Sequence, residues 1–356
     1  MSKFSRRAGL PAHSSIIFIV LLFGMALHGQ SDDESIKPVP ILTGSSAYFT
    51  QVNGGQAQNT PSISPLLLAP IGDKWLVEAK GYYSDTFGQG NAGTYGGTSD
   101  YGLLYAQVDY IASRYVTLSA GRFLTPFGIY GERLLPNWIR PLQLTPLIYG
   151  VTSDSALGGM LRGGFTAGSS NVNVNYAVYL SSNNTNHILA TDRTAGGRLS
   201  FFFPRHRLEL GVSFQKLLQE DRAHAIGFHS EWQPERLPLT LRSEYVHQTG
   251  TYGGGYWIES VYRLSQIPHL QRLELAGRGQ QFFAAQNLTP DEILDVGPLA
   301  TNTSQADAGL NYYFSRDIRG SASYGRQFVL GQNTNIWVIG ITYRFLVPLG
   351  PSGGAR

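Results

Sequence analysis

Glu78 and Lys80, Arg242 and Glu244, Glu259 and Arg263, and the trio Arg272, Glu274 and Arg278 are spaced by two or four residues. In an extended chain side chains alternate between two faces, so each set lands on one side. The other side is then apolar: Trp75, Val77 and Ala79; Leu239, Leu241 and Tyr245; Tyr256, Ile258, Tyr262 and Leu264; Leu273, Leu275 and Gly277. Carboxylates and guanidinium groups on one wet face can pair across neighbouring strands, line an aqueous surface or hold a passing ion. They do not make a nucleophile.

Catalytic constellations are missing from the chain. It contains no cysteine, which removes thiol catalysis, thiolate metal sites, disulfides and lipidated cysteine alike. No G-x-S-x-G turn and no H-E-x-x-H helix occurs. His224 and His229 are five residues apart and face opposite sides of a strand, while His247 stands alone. Gly88, Gly90 and Gly93 precede no helical pattern, so they do not form a phosphate cradle. No enzyme, cofactor or metal site is expected.

The elements that carry these charges emerge from composition and periodicity. Charged residues make up 14% of the 356, against roughly 25% in soluble domains, and aromatics make up 12%. No run of like charge suggests a nucleic-acid partner. Lys3, Arg6 and Arg7 precede an apolar run from Ile16 to Leu27, too short for a membrane helix of roughly 20 residues. Residues 1–30 read as a cleaved secretory signal peptide. Those three cations account for the whole formal charge of +3, because no acid precedes Asp32. Beyond the leader the chain is neutral, and its cations are mostly arginine.

Period-two alternation then recurs. Candidate strands fall near 44–52, 62–70, 74–84, 101–112, 114–124, 156–167, 171–181, 194–203, 207–216, 223–233, 238–248, 255–264, 271–282, 305–314, 318–328 and 335–345. Their lengths suit a tilted bilayer crossing of roughly 9–11 residues. Connections alternate between short turns (315–317, 204–206, 168–170) and longer segments (283–304, 182–193, 125–155, 85–100), the habit of outer-membrane barrels with turns on the periplasmic side. The expected fold is all-β, a transmembrane antiparallel barrel of about sixteen strands spanning 44–345. A periplasmic segment, 31–43, precedes it and a Pro/Gly-rich tail, 346–356, hangs free after it. A secreted β protein would alternate in the same way, with its charged faces toward water.

A barrel gives the charged face a lumen. Its expected cations are Lys80, Arg198, Arg242, Arg263, Arg272, Arg278, Arg319 and Arg344, and its anions Glu78, Glu209, Glu231, Glu244, Glu259, Glu274 and Asp307. Lys216 and Arg326 break the pattern near strand ends, where long side chains can snorkel. Arg122 shares the apolar face of Val116, Leu118 and Ala120, unless Gly121 marks a bulge that turns it inward.

The stretch 121–149 is the most distinctive. Pro126, Pro136, Pro141 and Pro146 prevent a continuous helix or strand, yet Phe127, Ile129, Tyr130, Leu134, Leu135, Trp138 and Ile139 are too apolar for water. Folded into the barrel, this loop would place Glu132, Arg133 and Arg140 at a constriction. The alternative is a loop packed over the rim or against another subunit.

Gly121-Arg122-Phe123 with Pro126-Phe127-Gly128 resembles a segment of the porin superfamily that contains the phosphate-selective porins O and P. Arg242-Ser243-Glu244-Tyr245, Leu275-Ala276-Gly277-Arg278, Gly309-Leu310-Asn311-Tyr312-Tyr313 and the terminal Ile341-Thr342-Tyr343-Arg344-Phe345 add to the likeness. The resemblance implies a channel in outer-membrane lipid, assembled as a homotrimer and passing small polar or ionic solutes. The balanced lumen departs from that family's cationic ladders and points to weak charge selectivity. A closed barrel with a structural or ligand-binding role is the competing expectation.

Overall fold

The computed structural model describes residues 39–89, 95–152, 154–168, 172–186, 189–219, 222–250, 253–285 and 300–350. The leader, most of 31–43 and the end of the tail lie outside them. Sixteen strands form one closed antiparallel barrel in which each pairs with its neighbours in sequence. They are β1 (Ile41–Asn53), β2 (Gln56–Ile71), β3 (Trp75–Gln89), β4 (Tyr95–Ser113), β5 (Val116–Leu124), β6 (Ser155–Ala167), β7 (Val172–Ser182), β8 (Thr194–Phe203), β9 (Leu208–Leu217), β10 (His224–Trp232), β11 (Leu239–Gln248), β12 (Gly254–Arg263), β13 (Leu273–Phe283), β14 (Thr303–Tyr313), β15 (Ile318–Val329) and β16 (Gln332–Pro348). β1 closes on β16 from Ile41 opposite Pro348 to Asn53 opposite Ile336, leaving no free edge.

The two faces separate cleanly. In β16, Ile336, Val338 and Thr342 are buried inside, whereas Trp337, Ile339, Ile341 and Tyr343 point out, Ile339 at 60% exposure. Trp75 meets Tyr110 at a tilt and Tyr312 meets Phe314 edge-on near the rim where the barrel begins and ends, here the lower rim. An apolar belt edged by aromatics on a closed sheet suits hydrocarbon, flanked by its polar interfaces. No helix among the described residues is long and apolar enough to cross a membrane.

Several expectations are corrected. The 85–100 connection is mostly strand, since β3 and β4 pair up to Gln89 opposite Tyr95. The tail does not hang free from 346: Leu346, Val347 and Pro348 pair with Thr43, Leu42 and Ile41, and the Leu349 N–H donates to the Pro40 carbonyl at 2.7 Å. β2 accommodates Pro61 and Pro65 by surrendering ladder positions toward β3, whereas Pro70 keeps its place opposite Leu76. Pairing skips Thr60–Pro61 and Ser64–Pro65, and side chains fill in, with the Ser64 hydroxyl donating to the Gly81 carbonyl at 3.1 Å. Gly121 has a φ of 120° within a β5 ladder that pairs unbroken through Arg122 to both neighbours, and Arg122 lines the inner cavity together with Tyr82, Leu135 and Tyr149. Its guanidinium reaches Ser155 Oγ at 2.9 Å.

Lys216 and Arg326 do face outward. Lys216 is the penultimate residue of β9, and Arg326 lies over the Phe328 ring near the end of β15. Both sit toward the upper rim, where a long side chain can reach polar surroundings.

Candidate functional site

The segment after β5 does not cover the rim. It descends into the barrel and is bonded to inward-facing side chains along more than half the wall. Gly128 makes the elbow with a φ of 62°, and a Cβ there would collide with the Glu244 carboxylate. Glu244 Oε2 accepts the N–H groups of Ile129 and Tyr130 at 3.1 and 3.3 Å. The Gly128 N–H donates to Ser213 Oγ at 3.0 Å, and Arg198 donates to the Gly128 carbonyl at 2.8 Å. Phe127 lies against Gly227, where any side chain would strike its ring. Thus the Pro-Phe-Gly triplet fits a socket built by β8, β9, β10 and β11.

The apolar half of the loop has its own partners. Phe127, Ile129, Tyr130, Leu134, Ile148 and Val151 pack on Ala225, Val246, Trp257 and Phe282 of β10 to β13. Tyr130 meets Trp257 edge-on, ring centres 6.3 Å apart. Each fully buried aromatic or aliphatic side chain contributes roughly 1.5–3 kcal/mol, so this patch, unusual in a wet lumen, holds the loop to one wall. Backbone groups farther along are satisfied by the wall as well. Arg319 donates to the Asn137 carbonyl, Asn311 to Pro141 at 2.9 Å, Arg278 to Leu144 at 2.8 Å and Gln248 to Val151 at 3.0 Å. Gln280 accepts the Leu147 N–H at 2.8 Å. Trp138, the lowest aromatic of the loop, lies under the guanidinium groups of Arg319 and Arg344 at 5.6 and 5.2 Å.

Within the single π-helical turn Tyr130–Leu134, Glu132 meets Arg198 at 2.5 Å, and Arg133 forms a two-pronged pair with Glu209 at 2.6 and 3.0 Å. Burial alone would lower the Arg133 pKa, but the hydrogen bonds and charge of Glu209 carry it above its ordinary value. Arg242 bridges Glu231 and Glu259 at 3.4 Å each, and Arg278 reaches Asp307 at 3.3 Å. Glu274 accepts from Asn311 and Tyr313. On the far wall Arg162 meets Asp109 at 2.8 Å.

Lys80 and Arg140 differ. Among the described residues neither has a carboxylate within 4.0 Å. Arg140 is held by the Gln143 carbonyl and by Asn137 Oδ1. Both line a cavity of about 340 Å³ with Ser62, Ser64, Ser84 and Tyr82. A cavity of about 490 Å³ above it shares Tyr82, Leu104 and Leu135. A third, about 590 Å³, lies between Arg133, Arg198 and the β3 to β8 wall. Because the loop is pressed to β10–β13, free space lies on the opposite side.

Of the expected lumen residues, Lys80, Arg198, Arg242, Glu244, Glu259, Glu274, Arg278, Asp307 and Arg319 face inward and contact the loop, one another or the open space. Arg263 stacks over Tyr313 at the lower rim, 5.0 Å from its ring centre. Arg272 is misplaced: β13 begins at Leu273, so Arg272 belongs to the exposed turn before it and donates to the Phe314 carbonyl at 3.1 Å. Asp109 and Arg162 escape sequence reasoning. Arg162 is the one charge of its strand, so no second charge fixes its face.

No family model matches the chain, and no curated protein matches it. Solved structures do. OmpF of Salmonella typhi in complex with daunomycin covers 86% of this chain and 97% of its own at 13% identity, TM-score 0.55. An anion-selective porin from Comamonas acidovorans covers 86% and 99% at 10% identity, TM-score 0.53. OmpT of Vibrio cholerae, folded in vitro in its trimer form, covers 86% and 100% at 10% identity, TM-score 0.54. The chain has the fold of a bacterial outer-membrane β-barrel. Within that class its closed sixteen-stranded fold is similar to that of these porins.

Proposed function

We propose that this barrel is an outer-membrane porin through which small polar or ionic solutes diffuse passively with weak charge selectivity. The observation that carries the reading is the position of the inner loop. Phe127, Ile129, Tyr130, Leu134, Ile148 and Val151 of the loop pack on β10–β13, and three cavities with shared or adjacent linings remain along β1–β8. Glu132, Arg133 and Arg140 stand on the edge of the loop that faces this space, which supports their role at a constriction. Lys80, Arg198, Arg242, Glu244, Glu259, Arg263, Glu274, Arg278, Asp307 and Arg319 make up the rest of the proposed lining and its supports.

Selectivity is weak in this reading because many lumen charges are paired and those without an ion-pair partner among the described residues have both signs, Lys80, Arg140 and Arg319 against Glu78, Glu244 and Glu274. The motif likeness to the phosphate-selective O and P porins enters as kinship alone, since an uninterrupted cationic ladder is missing from the described wall. A homotrimer in outer-membrane lipid is the inferred assembly, consistent with the trimer form of the similar OmpT. The chain acts as a conduit rather than an enzyme.

Swelling of multilamellar liposomes containing the folded protein tests this. Influx of small neutral sugars and of both signs of small ion is expected. Liposomes that swell no faster than protein-free controls would instead favour the closed barrel.

A further inference from the structure

We propose that the outer face of the barrel at the upper rim carries a binding site for the phosphorylated headgroup of an outer-leaflet glycolipid, formed by Arg193, Lys216 and Arg222. Lys216 faces outward on β9, on the same side as Leu210 and Phe214. It lies directly opposite His224 of β10, while Phe214 lies opposite Ile226 one step further down the wall. Arg193, just before β8, and Arg222, just before β10, converge with Lys216 and Leu218 around a hollow of about 300 Å³. Among the described residues none of the three cations has a carboxylate within 4.0 Å.

A cation on the lipid face costs roughly 2–4 kcal/mol at the midplane and about 0–1 near the interface, so these three belong at headgroup height. Three like charges around one hollow also repel one another. A phosphate among them relieves that repulsion and accepts charge-assisted hydrogen bonds from each. The rim bearing the longer connections faces outward in such barrels. Beneath the cations runs an uninterrupted apolar lane of Phe214, Ile226, Leu210 and Phe228, all well exposed. That combination of cations above and hydrocarbon below fits a lipid, not a free ion. The inference is independent of whether the lumen conducts.

Native mass spectrometry of the detergent-solubilised barrel with added bis-phosphorylated lipid A tests the site. The wild-type barrel is expected to retain the glycolipid and to ignore its dephosphorylated analogue. K216A/R222A is expected to lose about tenfold in affinity, while K216R/R222K retains binding. Heat-shifted electrophoretic mobility confirms that each variant is folded, and conductance stays at the wild-type value. Equal retention by K216A/R222A would overturn the proposal. Equal retention of the dephosphorylated lipid would overturn it too. Inorganic phosphate competing at equal affinity would replace the lipid with a free-ion site.

Discussion

The Glu244 carboxylate occupies the space that a side chain on residue 128 would fill, and it binds the N–H groups of the next two residues. One acid and one glycine thereby set the point at which the loop leaves the wall and enters the barrel. Gly128→Ala combines this collision with a left-handed backbone that alone costs roughly 1–2 kcal/mol. We predict that it releases the elbow, seen as faster proteolysis within 125–152 and a noisier single-channel current. Glu244→Gln keeps one acceptor and has the milder effect.

Arg133 and Glu209 are expected to be strongly coupled. Charge-assisted pairs of this two-pronged kind contribute roughly 1.5–3 kcal/mol. Arg133→Ala and Glu209→Ala should therefore be non-additive in urea unfolding from vesicles, and Arg133→Ala should also raise conductance by vacating the passage. Additive effects and an unchanged current would remove Arg133 from the constriction.

Lys80 and Arg140 offer a test of the lumen's charge. Reversing one of them changes the energy of a passing monovalent ion by about 1 kcal/mol, roughly fivefold in relative permeability. Lys80→Glu should shift the reversal potential under a salt gradient toward cation preference. Arg242→Gln, within a paired network, should shift it much less. Equal shifts would mean that the paired wall is also in contact with the permeating ion.

The lipid-facing side is checked through Ile339, at the middle of β16 and 60% exposed. Ile339→Arg should destabilise the barrel in vesicles by roughly 2–4 kcal/mol. Asn175→Arg, which adds the same group to the wide inner cavity, should leave stability near wild type.

All sixteen strands are legible in the sequence because lipid on one side and water on the other impose a strict two-residue period. Paired charges such as Glu259 and Arg263 fix a face without knowledge of the partner strand. The ends are less legible. β2 continues past Pro61 because its hydroxyl-bearing neighbours replace lost ladder bonds, and Leu346 to Pro348 stay in the sheet because β1 starts early enough to pair with them. Arg272 keeps the right period but falls outside its strand, which periodicity cannot detect. The choice between a loop inside the barrel and one on its rim is not open to local reading. It depends on Glu244, Ser213, Gln280 and Asn311, which lie far along the chain and acquire meaning only once the wall has curved around the loop.

The central claim is that water remains continuous past the loop. Single-channel recording of the folded, signal-stripped protein in a planar bilayer tests it most directly. Discrete, ohmic current steps in potassium chloride, with a reversal potential near zero under a gradient, are the predicted result. Correctly folded protein inserted in the bilayer without any current step would contradict it.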